Sequence, residues 1–392
     1  MIYILGCNSF IAKNLYIRLK QNNHKIILLS HSELNMLKDI SDDDIIINCC
    51  GVNRADNKTD FENGNYIFVK EMYKYLEKNP YLIHFSSLMV NGFKNNDNTV
   101  FENLSDGQRW FIESKLKGDN FLLNNYDKNK LCIIRPSNIY GYNCKSYYNN
   151  ILSTMVYEKI HKLNKINKIN KNCYRNMISI DSVIKRIIEI LEERKTGIHE
   201  IVSNNTISLE EITNIIYKIT DDKNDIQITD ETYTIPIIHT EDEITEDLVF
   251  NINKLEHDMI IYYNLIEKID ICKCAKLSQS RGDMVEMSNL EGKRLYKITI
   301  NQNEVRGNHY HIKQIEDFFV NSGKVVFILA LSDHPDIIHN FTGKENELIR
   351  IKPGIIHTVS NDFINNIPEI IIISTQRYDP NSSPDTEYIK LL

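Results

Sequence analysis

Short, unbroken apolar runs alternate with segments of helical period through the first two thirds of the chain, which is the sequence form of a parallel sheet covered by helices. The run Met1 to Leu5 predicts a strand, Phe10 to Lys20 a helix burying Ile11, Leu15 and Leu19, and Lys25 to Leu29 a second strand. Ile45 to Cys50 follows as a strand, then a helix from Asn65 to Lys78 that buries Val69, Met72 and Leu76, then the strand Tyr81 to Phe85. A further helix around Ile112 to Asn125 leads to the strand Leu131 to Ile134. The pattern predicts an α/β, Rossmann-like, doubly wound parallel sheet.

Ser208 followed by Glu211 reads as a capping box, which starts a helix at Leu209. After a helical segment near Lys254 to Ile269 the pattern changes. The runs LYKITI, DFFVNSG, KVVFILAL, NELIRIKPG and EIIIISTQ are β-rich and broken by turns. A boundary near residue 270 gives an α/β domain over 1–265 and an all-β domain over 270–392. No internal repeat is apparent.

A chain of 392 residues suits that division, at roughly 150 residues per domain as a prior. The net charge of −7, without any Lys/Arg cluster interleaved with aromatics, argues against a nucleic-acid partner. No apolar run reaches the ~18 residues of a membrane span, and the opening MIYILG is too short, and lacks the basic flank, for a signal peptide. A cytoplasmic protein without membrane contact is expected. Eight scattered cysteines (Cys7, Cys49, Cys50, Cys132, Cys144, Cys173, Cys272, Cys274) read as reduced and structural. The stretch His161 to Asn172, HKLNKINKINKN, reads as a low-complexity insert.

The strongest chemical signal lies in the β-rich part. His309 and His311, two residues apart on a predicted strand, share one face, and Glu316 and His357 can close on it from neighbouring strands. Three imidazoles and one carboxylate suit Zn²⁺ without excluding Fe²⁺, Mn²⁺ or Ni²⁺. Tyr310 alternates away from that face. Arg306, Tyr296 and Lys297 are candidates for further chemistry beside it.

In the α/β part, GCNSFIAKNL (Gly6 to Leu15) lies between the first strand and first helix, where a glycine-rich turn would let backbone amides approach a pyrophosphate. Its spacing is that of GxxGxxG with Ser9 and Ala12 in two glycine positions, and an ordinary tight turn fits it as well. After the second strand, Ser30, His31 and Ser32 offer neither the acid that favours NAD nor an arginine for the NADP phosphate. NADP(H) is the expected cofactor, with NAD the alternative. Asp42, Asp43 and Asp44 read as a solvated turn, and Trp110 as a core residue.

Several motifs occur in order: CCGVNR (Cys49 to Arg54), the pair Ser86 and Ser87, FIESK (Phe111 to Lys115), RPSNIYG (Arg135 to Gly141) and RNMISIDSV (Arg175 to Val183). Together they resemble the extended short-chain dehydrogenase/reductase family acting on nucleotide sugars. The resemblance implies cofactor contacts from Gly6, Ser9, Phe10, Ile11, His31, Gly51 and Lys115, and substrate contacts from Asn53, Arg54, Asn138 and Arg175. Arg175 would grip a UDP phosphate, a surface ion pair being the alternative. In the family's YxxxK motif the tyrosine passes a proton to or from the sugar oxygen. Here Lys115 remains, but Phe111 holds the tyrosine position, and the assisting hydroxyl falls at Ser87 or gives way to Leu88. Losing a positioned acid costs about 10²- to 10⁴-fold in rate, so efficient reduction is not expected.

The spacing HxH, Glu316, Gly323, then Gly354, His357 and Asn361, resembles the two motifs of the cupin superfamily, small β-barrels that hold a metal. With SRGDMVE (Ser280 to Glu286), VRGNHYH (Val305 to His311) and YDPNSSPDTEY (Tyr378 to Tyr388), the whole chain resembles the bifunctional capsular-polysaccharide and O-antigen enzymes of the CapF/WbjC type. That resemblance implies a homodimer acting on a UDP-2-acetamido-2,6-dideoxy-4-ketohexose. In that family the cupin inverts C3 and the reductase domain then reduces the 4-ketone with NADPH, toward UDP-N-acetyl-L-pneumosamine, and the resemblance implies the same here. It places Arg306 among the substrate contacts. Two alternatives stay open: epimerisation alone with a non-reducing front domain, and a catalytically silent sugar-nucleotide-binding scaffold. The cation either polarises the ketone or only braces the barrel.

Overall fold

The computed structural model describes residues 1–91, 104–163, 165–204, 206–218, 226–230, 244–273, 276–279, 282–285, 294–375 and 385–392. Cys274, Ser280, Arg281, Glu286 and residues 378–384 lie outside them, as do the side chains of 276–296. The chain forms two compact units, Met1–Arg18 with Leu29–Met259, and Leu19–Leu28 with Ile260–Leu392.

A six-stranded sheet comprises β1 (Ile2–Leu5), β2 (Ile26–Leu29), β3 (Ile45–Asn48), β4 (Tyr81–Phe85), β5 (Leu131–Pro136) and β6 (Gly197–Ile201), in the order β2-β1-β3-β4-β5-β6. The ladders from β1 to β6 are parallel. Strands covered on both faces need apolar side chains at every position, and Ile4, Leu5, Ile46, Ile47, Leu82, Ile83, Ile133 and Ile134 are fully buried. The link from β2 to β3 is short, carrying only a 3₁₀ turn at Leu34–Asp39. It steps back over β1, so β2 and β3 flank β1 on opposite sides. Their divergence is the topological switch point, and the crevice at the carboxyl ends of β1 and β3 is where such sheets take ligands.

Between β1 and β2 runs α1 (Phe10–Gln21). The helix expected from Asn65 to Lys78 instead starts at Lys58 and ends at Lys74. It is two α segments, α2 (Lys58–Glu62) and α3 (Phe68–Lys74), joined by a π turn at Asn63–Ile67. Asn57 Oδ1 caps it by accepting the Asp60 amide at 2.9 Å. α4 (Asp106–Asn125) also starts earlier than expected, because Ser105 and Gln108 form a reciprocal capping box. α5 (Ile151–Ile160) and α6 (Ile180–Glu192) follow, and α7 (Leu209–Lys218) opens on the Ser208–Glu211 box as read from sequence. α8 (Leu248–Glu267) is longer than the segment expected from Lys254. The low-complexity insert contributes a strand, Lys168–Asn170, which pairs in parallel with Gln227–Thr229 and buries Ile169.

The all-β unit comprises β7 (Ile269–Lys273), β8 (Arg294–Thr299), β9 (Val305–His311), β10 (Glu316–Ser322), β11 (Lys324–Leu331), β12 (His334–Lys344), β13 (Glu347–Ile351), β14 (Ile355–Ser360), β15 (Glu369–Ser374) and β16 (Thr386–Tyr388). They form two five-stranded antiparallel sheets, β7-β13-β10-β15-β8 and β12-β11-β14-β9-β16. Phe318 of the first sheet meets Phe327 of the second edge-on, with ring centroids 5.7 Å apart. The two antiparallel sheets make the all-β domain expected from the sequence. Among the described residues no helix is long and apolar enough to cross a membrane. The seven described cysteines are free, and Cys272 is exposed where a structural role had been expected.

Candidate metal centre and dinucleotide site

Two of the four expected donors share β9, where a bulge sets their direction. Gly307 adopts φ +107°, and a Cβ there would lie 2.4 Å from the His357 carbonyl oxygen. Past the bulge His309 stands opposite His357 of β14, and His311 follows on the same face. Glu316, the first residue of β10, comes from the other sheet. The four ligand atoms lie within 4.8 Å of one another.

The spacing fits a cation. Zn–ligand bonds of about 2.0–2.1 Å in a tetrahedron put ligand atoms roughly 3.3 Å apart. Here Glu316 Oε2 is 3.3 Å from His311 Nε2 and 3.2 Å from His357 Nε2. His357 Nδ1 faces the Ile355 carbonyl at 3.2 Å, while its buried Nε2 points inward without a well-directed hydrogen bond. Burial, together with the neighbouring His357 and His311, pushes His309 down to about 4, against the pull of Glu316. It therefore offers a neutral ring at pH 7. Burial pushes the Glu316 carboxyl up, but the neighbouring imidazoles of His311 and His357 prevail and hold it well below the usual carboxylate range. His311, Glu316 and His357 are buried and His309 is half-buried, so the cluster opens on the His309 side.

Gln314 was not read from sequence; its Nε2 donates to Glu316 Oε1 at 2.9 Å. Tyr310 points away as expected, its hydroxyl donating to Glu387. Arg306 is exposed on β9, and Lys297 pairs with Glu369 at 2.9 Å, so neither belongs to the cluster.

At the switch point, Gly6 leaves β1 with φ +76°, and its amide donates to the Leu29 carbonyl at 3.0 Å. A Cβ on Gly6 would lie 2.9 Å from Cys50 Sγ and 3.0 Å from Cys50 N, so the turn packs directly on the end of β3. Ser9 Oγ accepts the Ala12 amide at 3.2 Å, and Phe10 and Ile11 begin α1, whose amino end faces the turn. Lys115 on α4 is buried and donates to the Phe85 carbonyl at 3.0 Å, which brings it under Gly51. Burial pulls its ammonium down to about 8, against Asp119, Cys50 and Cys49. The π turn explains the local order. It buries Asn65, whose side chain accepts from Val52 N at 2.8 Å and donates to Val52 O at 2.9 Å, pinning the loop after β3.

Phe111 lies one turn before Lys115, its ring edge-on to Phe61 with centroids 6.3 Å apart. Leu88 is buried, and Ser87 accepts the Met89 amide at 3.3 Å just past β4. Beneath them, buried Asp119 takes hydrogen bonds from Ser86 at 2.9 Å and Arg135 at 2.7 Å. Burial pushes His84 down to about 3, with Lys115 adding to the shift, so its ring is neutral. His31 is exposed. An acid does stand beyond β2, one residue past Ser32: Glu33 accepts from Ser30 N at 2.8 Å and Ser30 Oγ at 2.6 Å.

Asn53 and Arg54 are exposed, and Arg54 Nε donates to the Tyr148 carbonyl at 2.9 Å. Asn138 donates to the Asn176 carbonyl at 3.0 Å, and Arg175 to the Tyr174 carbonyl at 2.8 Å. Both lie on the small sheet Thr206–Ser208, Tyr174–Ser179, Asn138–Tyr140. Trp110 is half-buried, not core. Asp42 accepts the Asn79 amide at 2.9 Å and Asp44 the Ser41 amide at 2.8 Å, so these carboxylates brace turns.

The NAD dependent epimerase/dehydratase family model matches residues 2–204, and the polysaccharide biosynthesis C-terminal domain model matches residues 277–387. Among solved structures the chain is similar to the capsular polysaccharide assembling protein CapF from Staphylococcus aureus, at 23% identity over 99% of each chain and a TM-score of 0.46. It is similar to Pal from Bacillus thuringiensis at 15% identity, covering 66% of this chain and 98% of that one, with a TM-score of 0.50. It is also similar to UDP-N-acetylglucosamine 4-epimerase from Bacillus cereus at 16% identity, covering 66% and 96%, with a TM-score of 0.51. No curated protein matches.

Proposed function

Because the chain belongs to the NAD dependent epimerase/dehydratase family and ends in a polysaccharide biosynthesis domain, we propose that it converts a UDP-2-acetamido-2,6-dideoxy-4-ketohexose. The C-terminal domain inverts C3, and the front domain reduces the 4-ketone, toward UDP-N-acetyl-L-pneumosamine or a related deoxyaminosugar. The enzyme works in the cytoplasm as a homodimer. The observation that carries this reading is the cluster of His309, His311, Glu316 and His357 inside the polysaccharide-biosynthesis domain.

These four residues would hold Zn²⁺, with another divalent transition metal as the alternative. When bound, the ion supplies a Lewis acid that polarises the C4 carbonyl and makes the C3 proton removable. The protein keeps three donors buried, which excludes water from their side, and leaves the His309 side open to the sugar. Arg306 would contact the sugar nucleotide near this mouth.

In the front domain a nicotinamide cofactor supplies hydride when bound. Gly6, Ser9, Phe10 and Ile11 would hold its pyrophosphate at the start of α1, with His31 and Gly51 flanking it and Lys115 on its ribose. Asn53, Arg54, Asn138 and Arg175 would hold the nucleotide sugar. NADP(H) is the proposed cofactor; Glu33, a carboxylate beyond β2, favours NAD as the second reading. Phe111 has no proton to give the C4 oxygen, and its packing against Phe61 favours a second reading of the activity, epimerisation without reduction. Ser87 is then the remaining hydroxyl of the proton-transfer pair.

Incubation with the 4-keto sugar in D₂O, following NADPH absorbance and deuterium at C3, tests both. Exchange with slow NADPH consumption is expected. Exchange without consumption selects the second reading, and no exchange in the zinc-loaded protein overturns both.

A further inference from the structure

The last eight residues, 385–392, return to the strand that carries two of the donors. β16 pairs antiparallel with β9, setting Tyr388 opposite His309 and Thr386 opposite His311. Beyond it, the amides of Ile389 and Leu391 donate to the backbone oxygen and to Oδ1 of Asn308, each at 2.9 Å. Before it, the Asp385 carboxylate accepts the Lys313 amide at 2.9 Å and the Gln314 amide at 3.1 Å. The segment is thus tied to β9 and its turn along its whole length.

An imidazole that ligates through Nε2 carries its proton on Nδ1, and that proton needs an acceptor. For His357 the acceptor is the Ile355 carbonyl, and His309 donates to the backbone of Gly307. A carbonyl only accepts, so it fixes the tautomer outright, and no side-chain substitution removes it. His311 is held differently. Its Nε2 faces Glu316, and its Nδ1 lies 3.0 Å from Thr386 Oγ1, with the Asp385 carboxylate at 3.9 Å.

We propose that Thr386 is a positioning residue of the metal centre, its hydroxyl oxygen accepting the Nδ1 proton of His311 and holding the Nε2 lone pair toward the other donors. Docking of residues 385–392 and cation binding are therefore coupled, each strengthening the other by the same factor. Asp385 supports this arrangement, because a nearby negative charge favours the proton on the nitrogen that faces it. The inference rests on the metal reading above, and its test separates the two.

Thr386→Val removes the oxygen and keeps the side-chain shape. In full-length protein loaded with Zn²⁺, transfer of zinc to a colorimetric chelator should report an affinity about 10- to 100-fold weaker than wild type, the usual cost of losing such a partner. Thr386→Ser should restore it. Zinc should slow amide exchange of residues 386–392 in wild type, and by a smaller factor in Thr386→Val. The metal-free melting temperatures of the two proteins should coincide. Wild-type affinity in Thr386→Val, failure of serine to restore it, or a lowered metal-free melt overturns the positioning role. Wild-type protein that takes up no zinc overturns the metal centre itself.

Discussion

Nζ of Lys115 lies so close beneath Gly51 that a Cβ at residue 51 would sit 2.7 Å from it and 3.0 Å from Asn65 Oδ1. The loop after β3 and the α4 lysine are therefore one construction. Gly51→Ala should push the ammonium aside and weaken nicotinamide-cofactor binding about tenfold, or ~1.4 kcal/mol. Titration of NADPH fluorescence checks this, and unchanged affinity would separate Gly51 from the cofactor site.

Lys115 titrates at about 8 instead of the ordinary 10.5, because burial disfavours its charge. Below that pH the ammonium is present for the cofactor; above it the charge is lost. Cofactor affinity should hold through neutral pH and fall at most about tenfold per pH unit above 8. In Lys115→Met it should be weak and show no such break. The fold responds in the opposite sense. Between about 8 and 10.5 the unfolded chain binds the extra proton, so this residue's contribution to stability rises with pH across that window.

Phe111→Tyr returns a hydroxyl to the position one turn before Lys115. Reduction of the 4-keto sugar, followed by NADPH absorbance, should rise by about 10²- to 10⁴-fold. A rate that does not move would mean that the front domain lacks more than its acid.

Glu33→Ala removes the carboxylate beyond β2 and frees Ser30 N and Oγ. The ratio of NADPH to NADH affinity should shift toward NADPH by up to about tenfold, since repulsion of a 2′-phosphate is relieved. Binding measured with both cofactors gives the ratio directly.

His357→Ala removes a donor that sits opposite His309 and 3.2 Å from Glu316. Zinc at 100 times its dissociation constant should stabilise wild type by about 2.7 kcal/mol and the variant far less. Melting with and without a chelator measures the difference.

Much of this was legible in the sequence because it depends on short periods. Unbroken Ile/Leu runs mark strands buried on both faces, and the two-residue repeat of His309 and His311 places both on one face whatever the rest of the barrel does. The capping pairs Asn57 with Asp60 and Ser105 with Gln108 are equally local. Glu33 lies one residue beyond the Ser30–Ser32 positions where the acid is expected, and its role shows only in its bonds to Ser30. The π turn at Asn63–Ile67 has no local signature, since what holds it is Asn65 reaching Val52. Thr386 meets His311 across 75 residues of chain, and no period within one segment encodes such a meeting.

Three imidazoles ride on one sheet and the carboxylate on the other. A separation of the two layers by a few ångströms, too small to alter the hydrogen-bond ladders within either, would still pull Glu316 away from its histidines. Cobalt in place of zinc would then serve as an optical gauge: the colour of a loaded sample would report whether the layers remain seated, well before the circular dichroism of the strands responds.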